Sequence, residues 1–416
     1  MKYQGQRGTE DVLPTQSHLW QYVESRFRAH ASSYGYLELR TPTFEDYDLF
    51  VRSSGESSEA VSKQMYDFRD KGDRHIALKP EGTAPAMRSL IQHNLCPQGT
   101  VARLSYITNC FRYERPQKGR LRELHQFGLE IVGSGSPLAD AEIIEASARF
   151  YQSLGVPSVV VLLNCLGNDE CRSRYRTALL DFAMPLLNEM GEEAIEKAKK
   201  NPLRLLDSKD PQMIEGLKEA PVILDFLDDP SREHFERLKD TLTFLGIEFR
   251  VAPEIVRGLD YYTGAVFEIQ SEHLGSQSAL CGGGRYDNLI KELGGPDLPS
   301  VGVGMGVERL LIVMEQLGLW PEAPKPDLFV AFAGSEHERA ALGLAATARN
   351  SGLTAIIDPD AKSLKSQLRQ ADRLGVRFVA IIGDDEAAAS MVTLRNLSDS
   401  SQELMSEGAL LERVKG

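Results

Sequence analysis

Long apolar runs are missing from this 416-residue chain: none approaches the roughly 20 consecutive residues that a membrane-spanning helix needs. The opening Met1-Lys2-Tyr3-Gln4-Gly5-Gln6 also lacks the apolar core of a secretory signal, so a cytoplasmic location is expected, with no membrane partner. Cysteine is scarce. Cys96, Cys110, Cys165, Cys171 and Cys281 form no Cys-x-x-Cys pair, and their odd number argues against a disulfide framework. Cys165 and Cys171 have no nearby histidine, so a zinc site is not indicated and reduced, mostly buried thiols are expected. Positive charge is in deficit. With 47 Lys and Arg against 60 Asp and Glu, the net charge of −13 argues against wholesale coating of nucleic acid, although local basic patches remain open. Neither Gly-x-Gly-x-x-Gly nor a P-loop occurs, so the nucleotide folds built on those loops are not indicated.

What is present is ordinary in bulk and concentrated in places. Hydrophobic content of 42% and charged content of 26% suit a globular protein, and the length predicts two or three domains. Thr15 can cap a first helix whose apolar Leu19, Val23 and Phe27 recur every four residues, with Gly35 suited to its stop. An alternating strand, Tyr36–Arg40, then runs to Pro42, which cannot continue a central ladder. Residues 52–64, rich in Ser, Gly and Glu, read as a mobile surface loop. Strands at Gln64–Arg69 and His75–Lys79 can pair as a hairpin across Lys71-Gly72-Asp73. The second strand enters Pro80-Glu81-Gly82-Thr83 before a helix over about 84–93. That corner could hold an ammonium group; equally, Thr83 could cap the helix while Glu81 faces its positive end.

Strands at Leu104–Tyr113 and Glu123–Val132 follow, joined by a long segment with Arg115, Lys118, Arg120 and Arg122, and with Arg112 just ahead of it. Such a local excess in an acidic chain wants an anion, phosphate above all; the alternative is a solvated loop. In the second strand Gln126, Gly128 and Glu130 share one face, with Gly128 leaving room between the other two. From about 171 to 245 the pattern is helical and charged, with an apolar stripe at Phe235, Leu238, Leu242 and Leu245, and it reads as an inserted helical domain.

Arg257-Gly258-Leu259-Asp260-Tyr261-Tyr262 then leads into an alternating strand through Ile269. It suits either an edge strand with its tyrosines in the core or a ligand-facing stretch. The run Gly282-Gly283-Gly284 lets the backbone come close to a ligand. Between Ser300 and Leu311 glycines alternate with apolar residues and enter a helix whose first turn holds Arg309, unfavourable for the helix dipole unless an anion is near. A proline-rich linker at 319–326 precedes a βαβαβ pattern, with strands at Leu328–Ala333, Ala355–Asp358 and Phe378–Gly383. In its second helix Leu364, Leu368 and Ala371 face the sheet, while Lys362, Lys365, Arg369 and Arg373 line another face: a solvated stripe or a nucleic-acid contact.

In combination these segments resemble the histidyl-tRNA synthetases, class II aminoacyl-tRNA synthetases, over nearly the whole chain. Arg7-Gly8-Thr9-Glu10-Asp11 is similar to the family's N-terminal signature, and the helix and strand ending at Pro42 to its dimer-forming motif 1. Phe111–Arg120 resembles motif 2 and Gly304–Leu310 motif 3, while Arg257–Tyr262 and Gly282–Asp287 resemble the two boxes that distinguish the histidine enzymes. Thr108-Asn109-Cys110 and Gly264-Ala265 depart from the family pattern and touch no named catalytic role.

The resemblance implies an α+β protein: a class II catalytic domain on an antiparallel sheet (1–170 and 246–320), a helical insertion (171–245), a linker (321–326) and an α/β anticodon-binding domain (327–416). It implies activation of L-histidine with ATP to histidyl-adenylate, then transfer to the terminal adenosine of tRNA(His), by a homodimer. Arg112 and Arg257 would stabilise charge on the reacting phosphate. ATP would also meet Arg120 and Arg309. Mg2+ would be held mainly through the ATP phosphates, with no metal site of the protein's own. Glu81, Thr83 and Gln126 would take the substrate ammonium group; Glu130 and Tyr262 would bracket the imidazole, with Tyr261 beside them. Arg115, Gln117 and Lys118 would meet the acceptor stem, and Lys362, Lys365 and Arg369 the anticodon side. An alternative is a non-catalytic histidine-sensing regulatory paralogue, and another a sensor of uncharged tRNA; both should have lost the ATP-binding arginines, and Arg112, Arg257 and Arg309 are all here.

Overall fold

The computed structural model describes residues 3–54, 63–117, 119–157, 159–200, 202–206, 208, 210–255, 261–277 and 279–416. The chain forms two compact units, Met1–Pro321 and Glu322–Gly416.

The first unit is organised by an eight-stranded sheet. Its strands are β1 (Leu37–Glu38), β5 (Ala102–Phe111), β6 (Glu123–Val132), β7 (Val160–Cys165), β8 (Phe249–Val251), β9 (Thr263–Gln270), β10 (Ala279–Arg285) and β11 (Ser300–Gly306), in the order β1-β5-β6-β11-β10-β9-β7-β8. The pairs from β5 to β7 are all antiparallel, and only the outer partners β1 and β8 run parallel to their neighbours. A small antiparallel sheet, β2 (Phe44–Asp46), β4 (His75–Leu78) and β3 (Tyr66–Arg69), flanks it, and β3 and β4 form the expected hairpin.

Period-two alternation gives the large sheet two different faces. Phe127, Leu129 and Ile131 of β6, with Val301, Val303 and Met305 of β11, join the main core beneath the helices Ser17–Ser33, Pro137–Ser153 and Val307–Gln316. Phe27 stacks on Phe127 with centroids 4.4 Å apart and meets Phe150 edge-on at 5.5 Å. Burying one such ring contributes about 1.5–3 kcal/mol. The intervening residues Gln126, Gly128 and Glu130 therefore point to the opposite face, where the helix Thr83–His93 lies.

Several local expectations change. Thr15 does not cap the first helix: the N-cap is Gln16, which makes no side-chain cap bond, and the helix begins at Ser17. Residues 52–54, expected in a loop, finish the helix Tyr47–Ser54, while 55–62 lie outside the described residues. The insertion has its own core of Tyr175, Leu179, Ala183, Leu187, Ala198, Leu205, Met213 and Ile223. The stripe Phe235, Leu238 and Leu242 is not part of that core; its helix, Asp229–Phe244, packs into the main one.

In the second unit the strands β12 (Leu328–Phe332), β13 (Ala355–Ile357), β14 (Phe378–Ile382), β15 (Val392–Asn396) and β16 (Gln402–Met405) are ordered β13-β12-β14-β15-β16. The first three are parallel, as the βαβαβ pattern requires, and β15 and β16 add an antiparallel edge. In the helix Leu364–Leu374, Ala371 is buried with Leu364 and Leu368 packed beside it. Gln367 is fully buried too, and its amide clamps β12 through the N–H (3.1 Å) and C=O (2.9 Å) of Phe332.

Candidate active site

The helix starting at Thr83 is capped by Glu81. Its carboxylate accepts the N–H groups of Thr83 (2.5 Å) and Ala84 (2.9 Å), two of the donors a helix start leaves unpaired. Thr83 is thereby released from the capping role that the local sequence suggested. Its hydroxyl instead donates to Oε1 of Glu130 at 2.9 Å. Burial pushes the Glu81 carboxyl above the usual range, and the two backbone N–H groups oppose that shift.

Glu130 is wholly buried on β6. Besides Thr83 it accepts the Tyr106 hydroxyl on Oε1 (2.8 Å) and the Tyr286 hydroxyl on Oε2. Burial raises its carboxyl to about 8, against the pull of these three hydroxyls. Tyr261 and Tyr262 are buried beside it, with ring centroids 4.7 Å apart, and Tyr261 meets Tyr286 edge-on at 5.6 Å. Glu81, Thr83, Glu130, Tyr261 and Tyr262 thus meet in one buried wall. Gln126 lies farther along the same face of β6, accepting the Cys110 thiol at 3.4 Å.

A row of arginines adjoins this wall. Arg112 donates Nε to the carbonyl of Pro80 at 2.8 Å, which brings it beside the Glu81 corner, where its charge acts on that carboxyl. Arg120 pairs with Glu114 at 3.2 Å, and Arg112 reaches the same carboxylate at 4.0 Å. Arg309, in the first turn of its helix, donates to the carbonyls of Ala279 (2.7 Å) and Gly119 (3.3 Å), which answers part of the expected dipole penalty without an anion. Burial first, and then the charge of Arg120, hold the Arg309 guanidinium below its ordinary value. Like charges gathered in this way favour a polyanion between them. The N-terminal signature reaches the same region, since the Gly8 carbonyl accepts the Arg122 N–H at 2.7 Å.

Other predicted residues are placed separately. Arg115 and Gln117 are exposed on the motif 2 loop, and Lys362, Lys365 and Arg369 are exposed in the second unit, Lys362 paired with Asp360 at 2.8 Å. Arg257 and Lys118 lie outside the described residues. The glycine run 282–284 sits within the sheet between β9 and β11; a Cβ on Gly283 would come within 2.2 Å of the Gly302 carbonyl, so strand packing alone calls for glycine there.

Sequence reasoning missed Tyr106, Tyr286 and a buried ion cluster. Arg285 forms a two-point pair with Asp140 (3.1 and 2.6 Å), which His234 joins at 2.9 Å, tying β10 to the helices Pro137–Ser153 and Asp229–Phe244. Tyr106 carried one signal, its place across the β5–β6 ladder from Gly128, but that register is not readable from one strand.

Comparisons with known proteins bear on the chain as a whole. A family model described as "Histidyl-tRNA synthetase" matches residues 8–310, and one described as "Anticodon binding domain" matches 327–416. The histidine–tRNA ligase of Caldicellulosiruptor saccharolyticus is 44% identical over 416 residues, covering 100% of this chain and 99% of its own. That of Caldanaerobacter subterraneus is 45% identical, covering 95% of each. Among solved structures, apo histidyl-tRNA synthetase of S. aureus superposes with a TM-score of 0.84 at 34% identity, covering 100% of both chains. A structure from Bacillus halodurans, titled an ATP phosphoribosyltransferase regulatory subunit/histidyl-tRNA synthetase, reaches 0.65 at 20% identity over 92% of this chain and 99% of its own, a likeness of fold. With matches of this extent in sequence and in structure, the chain belongs to the histidyl-tRNA synthetase family.

Proposed function

We infer that the chain is a ligase that activates L-histidine with ATP and transfers it to tRNA. The observation that carries the reading is the meeting of two chemically distinct half-sites. A buried carboxylate wall of Glu81 and Glu130 stands beside a row of Arg112, Arg120 and Arg309. The first suits an amino acid with a basic side chain, and the second a nucleoside triphosphate.

Residue roles follow from charge and position. Arg112, beside the Glu81 corner, stabilises negative charge on the carboxylate and α-phosphate as they react; the family resemblance assigns Arg257 the same charge-stabilising role. Arg120 and Arg309 hold the terminal phosphates and the adenine. Glu81, Thr83 and Gln126 take the ammonium group, and Glu130 and Tyr262 the imidazole, with Tyr261 in the pocket wall. Such a pocket leaves buried polar groups unpaired with other amino acids, a penalty that can reach about 10⁴–10⁵ in discrimination. Mg2+, held mainly through the ATP phosphates, would supply neutralisation of charge on the pyrophosphate leaving group. Glu114 and Glu268, whose charges reach Arg309, are oxygen donors of the kind that ion accepts.

Arg115, Gln117 and Lys118 face the acceptor end of tRNA(His), and Lys362, Lys365 and Arg369 its anticodon side. The catalytic domain is formed by 1–170 and 246–320, the insertion by 171–245, and 327–416 bind the anticodon after a linker at 321–326. Two chains pair through motif 1, where Leu37 is 72% exposed on an edge strand, with Phe44 (54%) exposed just beyond it. The enzyme works in the cytoplasm; no helix among the described residues is long and apolar enough to cross a membrane.

ATP–pyrophosphate exchange with each of the twenty amino acids tests the reading. Exchange with histidine alone is expected. Histidine binding without exchange would favour the regulatory alternative instead.

A further inference from the structure

Glu130 accepts three hydroxyl hydrogen bonds, and they can be counted against its capacity. An ionised carboxylate offers about four acceptor positions. Thr83 and Tyr106 take two on Oε1, and Tyr286 takes one on Oε2. The backbone is shaped around this arrangement. A Cβ on Gly128 would lie 2.0 Å from the Tyr106 ring, and one on Gly302, directly across the ladder from Glu130, would lie 1.6 Å from Oε2 and 2.8 Å from the Tyr286 hydroxyl. Tyr106 therefore occupies the space beside Gly128 that the strand pattern had left for a ligand, and Gly302 makes room for the Glu130 and Tyr286 pair.

We propose that Tyr106 and Tyr286 are positioning and specificity-determining residues: with Thr83 they fill three acceptor positions of Glu130 and leave one, on Oε2, for a single ring N–H of the substrate. This rests on the reading that Glu130 meets the imidazole. A neutral imidazole has one N–H donor and one acceptor nitrogen, so one vacancy matches it. A side chain with two donors on the group facing Glu130, such as an amide NH2, leaves one donor unpaired in a buried site, and an apolar side chain leaves the acceptor unpaired.

The hydroxyls also act on protonation. The carboxyl is faced by Glu81 from the helix corner, by Tyr106 from β5, by Tyr286 after β10 and by Tyr261 before β9, with Tyr36 farther off. Burial and Glu81 favour the neutral acid, whereas the three hydroxyl donors favour the carboxylate that can accept the ring N–H. Removing one donor raises the Glu130 pKa further, because a hydrogen bond that favours the charged form is lost.

The test compares Tyr106→Phe, Tyr286→Phe and Glu130→Gln in the full chain by histidine-dependent ATP–pyrophosphate exchange. Phenylalanine keeps the ring that fills the space beside Gly128 and removes only the oxygen. Each Phe variant is expected to raise KM for histidine about tenfold, to leave KM for ATP within about twofold, and to move the acidic limb of kcat/KM for histidine upward by about one pH unit. Substrate titration is common to all the enzymes, so the difference between limbs belongs to the protein. Lower melting temperature and kcat with an unmoved limb and unchanged histidine KM would mean a purely structural role and overturn the proposal. If Glu130→Gln itself keeps the parental KM for histidine, the failure lies in the reading of Glu130 as the imidazole partner. If Glu130→Gln loses histidine while both Phe variants keep it, only the proposal fails.

Discussion

A methyl group at Gly302 probes the site without replacing any candidate ligand-binding side chain. In Gly302→Ala the new Cβ would stand 1.6 Å from Oε2 of Glu130, against an ordinary contact of about 3.4 Å or more. The carboxylate must retreat by about 1.8 Å, far more than an O–H···O bond at 2.5–3.0 Å tolerates. At least two of the three hydroxyl bonds, those from Tyr286 and Tyr106, are then broken. Hydrogen bonds to a charged group contribute about 1.5–3 kcal/mol each, so about 3–6 kcal/mol of positioning is at stake, with about 1.4 kcal/mol per factor of ten. Histidine kcat/KM in pyrophosphate exchange should fall about 10²–10⁴-fold while KM for ATP stays within about twofold. Glu130→Asp, which withdraws the carboxylate by one methylene, should recover part of the loss when combined with Gly302→Ala, a coupling that additive effects would not give. A Gly302→Ala enzyme with histidine kcat/KM within threefold of the parent would refute this account of the strand crossing.

Three further perturbations address separate parts of the structure. Arg257→Ala should mainly lower kcat for adenylate formation, whereas Tyr262→Phe should mainly raise KM for histidine; the same pattern in both would remove the division of labour between phosphate and imidazole. Reversing charge at Lys365 and Arg369 should raise KM for tRNA at least tenfold and flatten its salt dependence, leaving pyrophosphate exchange unchanged. Asp140→Asn should cost about 1.5–3 kcal/mol of stability by removing the two-point carboxylate partner of buried Arg285, which keeps Asp287 and the Ser134 and Ser136 carbonyls. Burial alone would raise the Asp140 carboxyl, but Arg285 and His234 hold it below the usual value, so its stabilisation is complete above the ordinary carboxylate pKa and is lost as pH falls through the depressed one. Denaturant melts across that acidic range should be flatter in the variant.

What the sequence disclosed tracks how local each cause is. Strand β6 appeared at its expected bounds because alternation over ten residues is a local property, and the shared face of Gln126, Gly128 and Glu130 follows from the same period. The helix stripe at Phe235, Leu238 and Leu242 was equally legible, but its partner was not: spacing shows that a face is buried without showing which core receives it. Arg285 and Asp140 are 145 residues apart, and Tyr106 on β5 and Tyr286 just past β10 reach one carboxylate from either side of β6 and β11. Those contacts exist only once register is fixed. Gln367 is another contact that spacing does not show: a polar residue within a basic helix, it clamps a buried strand. The short strands β15 and β16 gave too brief an alternation to be separated from turns.

Histidylation of tRNA by the purified chain tests the central claim most directly. With ATP, histidine and tRNA(His), the account predicts stoichiometric formation of histidyl-tRNA with release of AMP and pyrophosphate, abolished by Arg112→Ala. Binding of histidine and tRNA with no AMP released and no charged tRNA formed would contradict it.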